Sequence, residues 1–146
     1  YITQDIAPKM FETFKRGPNA FGIQEMSVDT YMHLYNIADC SLVPLTIDTF
    51  NFHKSNLKIL EAGAKCIPAI VSYVPPYRDT PDAPVLWVKE PGDWFKHMEY
   101  LATHRDEAKA LGMALNEWCK KYYNLFEVNE KRFNLYYKTV GIPCPI

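Results

Sequence analysis

Two rhythms alternate along this chain. Short apolar runs at Cys40–Leu45, Ala69–Ser72 and Val85–Val88 have the character of buried strands. Between and after them, apolar residues return at helical spacing. Phe21–Met26 predicts a first short strand. Ser27 is a candidate N-cap and Asp29 suits the first turn of a helix over about Val28–Ala38, with Tyr31, Leu34, Tyr35 and Ala38 on one side. A polar and aromatic loop, Thr46–Lys54, leads to Ser55 as the next N-cap, and the helix it starts carries Leu57, Leu60, Glu61 and Ala64 and ends near Lys65. Pro75, Pro76, Pro81 and Pro84 predict an extended loop. Pro91-Gly92 closes the last strand, and three helices follow. Asp93 caps the first, with Trp94, Met98 and Leu101. Asp106 caps the second, with Ala110, Leu111, Ala114, Leu115 and Trp118. The third runs from about Asn129 to Lys138.

With a short stripe at Met10, Phe11 and Phe14, the order reads α-β-α-β-α-β-β-α-α-α. That alternation predicts an α/β domain, a Rossmann-like parallel sheet with helices on both faces. One more strand is expected before residue 1. The 146 residues suit a single domain, and the start at Tyr1 rather than Met is read as a fragment of a longer protein.

Composition narrows this further. The net charge of −1 gives no global electrostatic case for binding DNA or an anionic membrane. No run reaches the length of a membrane-spanning helix. The four cysteines, Cys40, Cys66, Cys119 and Cys144, form no CxxC pair or zinc-type cluster. They are expected to be reduced structural thiols, with Cys40 and Cys66 acting as small hydrophobes beside strands. The expected location is cytoplasmic, with peripheral attachment to a membrane as a variant.

Ligands of such sheets bind beyond the carboxyl ends of the strands. Here those ends lead into Gln24–Ser27, Thr46–Ser55 and Ser72–Asp79. The middle loop runs straight into a helix start, where free amides bind phosphate and Lys54 and Ser55 add a charge and a hydroxyl. An ordinary N-cap beside a solvated lysine would read the same way. Glu61, six positions after Ser55, is suited to accept from both hydroxyls of a ribose diol. It could equally be a surface glutamate paired with Lys58 or Lys65. Asp48, His53 and Tyr77 also line the expected crevice. Neither G-x-G-x-x-G nor G-K-[ST] occurs.

Four stretches in order carry a resemblance: Tyr35-Asn36-Ile37-Ala38-Asp39, Ser41-Leu42-Val43-Pro44-Leu45, Lys54-Ser55-Asn56-Leu57-Lys58-Ile59-Leu60-Glu61-Ala62-Gly63, and Ile67-Pro68-Ala69-Ile70-Val71-Ser72. Together they resemble the C-terminal domain of group 1 glycosyltransferases of the GT-B fold, in a divergent branch with a Lys-Ser-x-x-Lys helix start. The match covers about Phe21–Ser72, and the terminal helices with Arg132 and Tyr136 look like the family's closing helices. The resemblance implies a hexosyltransferase-type domain that binds a nucleoside-diphosphate sugar and is inactive as an isolated fragment. It implies donor binding by the amides of Ser55, Asn56 and Leu57, together with Lys54 and His53. Glu61 would meet the ribose, and the loop with Gln24 and Met26 the base. The family's first acidic position falls on His53, eight residues before Glu61, and there this sequence departs from the pattern. No cofactor or metal is implied, and no Asp-x-Asp motif occurs. The implied partners are an N-terminal GT-B domain and an unidentified acceptor: a glycan, a lipid-linked glycan, a protein or modified DNA.

Two other classes remain open. One is a receiver- or flavodoxin-like nucleotide-binding module, although Asp39 and Asp48 sit poorly for a receiver. The other is a glycosyltransferase-like scaffold without activity, which His53 keeps in play. The aromatic cluster Tyr122, Tyr123, Phe126, Phe133, Tyr136 and Tyr137 is either core or a face for the N-terminal domain. The second case predicts an exposed apolar patch.

Overall fold

The computed structural model describes residues 26–27, 29–78, 80 and 82–141. The expected stripe at Met10–Phe14 and all but the last residue of the expected strand Phe21–Met26 lie outside these. The chain divides into two compact units, Tyr1–His33 and Leu34–Ile146.

In the first unit, the described residues form a turn. The Ser27 carbonyl accepts from the amides of Thr30 and Tyr31, each at 3.0 Å. The Ser27 hydroxyl pairs with that of Thr30 at 2.8 Å. Ser27 therefore does begin a helical turn. The helix it leads to is 3₁₀, Tyr31–Ile37, rather than the α-helix expected over Val28–Ala38. None of its residues is fully buried, and so shallow a packed face supplies little of the tertiary packing on which α-helical stability in proteins mostly depends.

The second unit holds a three-stranded sheet, β1 (Ser41–Val43), β2 (Ala69–Ser72) and β3 (Leu86–Val88), in the order β1-β2-β3. All pairs are parallel, with Val43 beside Val71 and Val71 beside Trp87. Between β1 and β2 come a 3₁₀ turn, Asn51–His53, and helix α1 (Leu57–Ala64). A short helix α2 (Pro75–Arg78) joins β2 to β3, and α3 (Pro91–Thr103), α4 (Arg105–Tyr122) and α5 (Leu125–Val140) follow.

Both faces of the sheet are covered. Ala69 and Val71 of β2 share a cluster with Ile59 and Ala62 of α1, Val74, Tyr77 of α2, and Leu115 and Trp118 of α4. Ile70, pointing the other way, packs with Val88, Leu101 of α3 and Ala108 of α4. Parallel crossovers share one hand, so two successive crossovers in a sheet of monotone order must lie on the same face. Here α1 and α2 do, which leaves the opposite face to the helices that follow β3. Helix α4 serves both layers because it crosses the amino end of β2. Gly112 permits that crossing, since a Cβ there would lie 2.1 Å from the Cys66 carbonyl oxygen.

Prolines and caps account for most departures from expectation. Pro75-Pro76 opens α2 rather than an extended loop, and Pro91 opens α3 rather than closing β3. Both placements use the first helical turn, where no amide donor is required. Asp93 is therefore the third residue of α3 and not its cap. Its carboxylate accepts from the amides of Lys89 and Glu90, both at 3.0 Å, and these bonds hold its pKa below the usual carboxylate range. The N-cap of α4 is His104, so Asp106 belongs to the first turn. Helix α5 begins earlier and ends later than expected, between an Asn124 side-chain cap and Gly141 in the left-handed conformation.

Cys66 also differs from expectation. It is exposed, with φ of 56°. Its amide donates to the Gly63 carbonyl and that of Ile67 to the Ala62 carbonyl, both at 3.0 Å. These two bonds close α1 in a Schellman motif, with cysteine in the left-handed position that usually holds glycine. Cys40 does pack against the core, as expected.

Candidate functional site

Strand β1 ends because Pro44 cannot donate to the sheet. The next amide, Leu45, donates instead to the Ser72 hydroxyl at 3.0 Å. The exits of β1 and β2 are thus tied together at the carboxyl edge of the sheet. From there the chain enters the turn Asn51–His53, which Asp48 organises. Its Oδ1 accepts from the Asn51 amide and its Oδ2 from the Asn51 side chain, both at 2.7 Å. This turn packs against α2.

The segment 53–57 then delivers the chain to α1. The His53 ring meets Phe52 edge-on at 5.5 Å, and the Lys54 ammonium lies 5.1 Å from the centre of the Phe50 ring. His53, Lys54, Ser55 and Leu57 are all exposed. The N-cap of α1 is Asn56, one residue later than expected, and it makes no side-chain capping bond. Its amide group donates instead to the Tyr123 hydroxyl at 2.6 Å, fixing the entry of α1 to the end of α4.

Glu61 lies in the second turn of α1 and is 5% exposed. Its Oε2 accepts from the Tyr35 hydroxyl at 2.9 Å and from the Lys58 ammonium at 2.8 Å. The local Lys58 pairing anticipated from helical spacing forms, but around a buried carboxylate rather than a surface one. Lys65 turns away to the Asn36 side chain at 3.2 Å. A buried carboxylate is costly unless its oxygens are hydrogen-bonded, and these bonds offset part of that cost.

Six of the eight candidate donor residues, His53 to Leu57 and Glu61, thus lie on one connection of the second unit. Met26 is half-buried in the first unit. Gln24 lies outside the described residues. Of the further crevice candidates, Asp48 is engaged in its turn, whereas Tyr77 is a core residue, 3% exposed, with its phenol pKa raised by burial.

Sequence reasoning passed over three partners: Tyr35 for Glu61, Tyr123 for Asn56, and Ser72 for Leu45. Each pair is at least 26 residues apart, and no local pattern reports it. A cleft of about 590 Å³, lined by Leu86, His97, Tyr100, Glu107 and Leu111, contains none of the candidate donor residues. Among the described residues, no group of three or more His, Cys, Asp or Glu is placed to hold a metal ion, and no helix is long and apolar enough to cross a membrane. Comparison with protein-family models, with curated proteins and with solved structures returns no match.

Proposed function

We propose that this chain is the donor-binding domain of a GT-B-fold glycosyltransferase, taking a nucleoside-diphosphate sugar at the β1–α1 connection. The observation that carries the reading is the position of one connection. Exposed Lys54 and Ser55 lead into the start of α1 at the carboxyl edge of a parallel sheet, with a carboxylate one turn on. Parallel sheets bind ligands at that edge, and helix-start amides favour anions. In this reading the diphosphate leaves the sugar while amides of the Ser55–Leu57 segment and the Lys54 ammonium stabilise its growing charge. Glu61 accepts from the ribose hydroxyls. The resemblance calls for no metal in this step. The acceptor, whether glycan, lipid-linked glycan, protein or modified DNA, would be held by an N-terminal domain. The exposed aromatic residues of α5 offer a surface for that domain, with Phe126 85% and Tyr136 63% exposed.

A second reading, an inactive glycosyltransferase-like scaffold, is favoured by the same carboxylate. Glu61 is buried with two protein donors on one oxygen, and the side chain of Asn56 is committed to Tyr123. Calorimetric titration with UDP, GDP and ADP separates the two. The donor reading expects one of them to bind, weakened about tenfold or more by Glu61→Gln and less by Ser55→Ala. A folded chain that binds none of the three is the scaffold.

A further inference from the structure

We propose that Tyr35 and Lys58 are positioning residues that hold the Glu61 carboxylate in the orientation that selects ribose over deoxyribose. The proposal rests on the donor-site reading above.

The two donors reach the same oxygen, Oε2, from different elements. Tyr35 comes from the 3₁₀ helix, 26 residues earlier, and Lys58 from the preceding turn of α1. The terminal torsion of a glutamate is intrinsically broad, so an unheld carboxylate presents its acceptors over a wide range of angles. Two bonds on one oxygen remove that freedom. Recognition of a diol needs this, because two hydroxyls must meet acceptors whose plane is already set. The clamp is also anchored. Tyr35 packs against the core cluster that contains Ile59 and Ala62 of α1. Lys58 keeps 37% of its side chain exposed while Glu61 keeps 5%, so the ammonium neutralises the carboxylate from the solvent side.

A network that served only stability would affect all ligands alike. A positioning network affects discrimination. The experiment therefore measures the affinity of the chain for UDP, GDP and ADP and for their 2′-deoxy counterparts, in the native protein, Tyr35→Phe and Lys58→Met, with a melting curve on each sample. Tyr35→Phe keeps the ring and removes only the hydroxyl. The native chain should prefer the ribose form of the bound nucleotide by about tenfold or more, because a site built around a hydroxyl rejects the analogue lacking it. Each variant should reduce that preference to about twofold, while its affinity for the deoxy form changes little. An unchanged preference in both variants overturns the proposal and leaves the donor site standing. Native binding without any ribose preference also overturns it. Absence of native binding to every probe removes the donor reading itself, and the positioning role with it. Should Tyr35→Phe fail to fold, Lys58→Met decides alone, since it loosens the same oxygen from the exposed side.

Discussion

Helices α4 and α5 are neighbours in the chain and close in length, 18 and 16 residues. Helix α4 buries Ala108, Gly112, Leu115 and Trp118, whereas α5 buries nothing. The contrast does not come from their ends. The start of α5 is the better made, with the Asn124 side chain accepting from the Phe126 amide at 3.0 Å, while α4 has no side-chain cap. It does not come from a lack of apolar residues either, since α5 carries Phe126, Phe133, Leu135, Tyr136 and Val140, all exposed. What α4 has is an opposing surface. Its glycine lets it sit on the turn before β2, and Asn116 donates to the Gly63 carbonyl of α1 at 2.8 Å. Helix formation and helix burial are therefore separate contributions. Caps and propensity supply the first, and a complementary neighbour supplies the second.

Experiments of graded effect would break or sharpen this contrast. The largest effect is expected in thiol chemistry. Burial on the packed side of α4 raises the Cys119 pKa to about 11, so at pH 8 only about one thiol in a thousand is ionised. Timed alkylation should label exposed Cys66 well before Cys119. The neutral thiol is the form the fold favours. This contribution is therefore complete below the ordinary thiol range and fades as pH rises towards about 11, so the share of stability that Cys119 supplies should be lost on the alkaline side of the melting profile. Equal labelling of the two cysteines would mean that α4 opens readily.

Next come large deletions on α4. Leu115→Ala, at a fully buried position, and Trp118→Ala should each cost about 3–5 kcal/mol in denaturant unfolding. Gly112→Ala should cost about 2–3 kcal/mol, because its Cβ would strike backbone rather than a movable side chain. Asn124→Ala should cost about 1 kcal/mol or less, read as lost helicity in α5. The smallest effect is expected for Phe133→Ala on α5, below about 0.5 kcal/mol. A loss of several kcal/mol there would show that α5 is covered in solution, by another domain or a second copy, and the contrast with α4 would vanish.

The candidate site divides along similar lines. That a polar connection would run from an apolar strand into a helix at 54–57 was legible, because proline, helical spacing and polar clustering are local signals. The helix start was misplaced by one cap, since Ser55 and Asn56 are both good capping residues. The competition was decided by Tyr123, far along the chain. Glu61 was legible as a carboxylate on the half-apolar side of its helix. Its burial was not, because that depends on Tyr35 and on how close α4 and the core approach. Tyr77 shows the reverse error. Placed in a proline-rich stretch, it read as a crevice residue, yet Pro75-Pro76 begins a helical turn that rotates it into the core.

The sequence by itself determined the alternation of strands and helices, the parallel sheet and the regions of its three described strands. These follow from periodicity and from proline and capping chemistry, which act within a few residues. Tertiary structure decided what each face met. It placed α1 and α2 on one side of the sheet and drew α4 across the amino end of β2. It put a cysteine in a left-handed turn, left most of the apolar side chains of α5 exposed, and closed two donors on the Glu61 carboxylate. Those outcomes depend on contacts between residues distant in the chain, whose free energies no local pattern encodes.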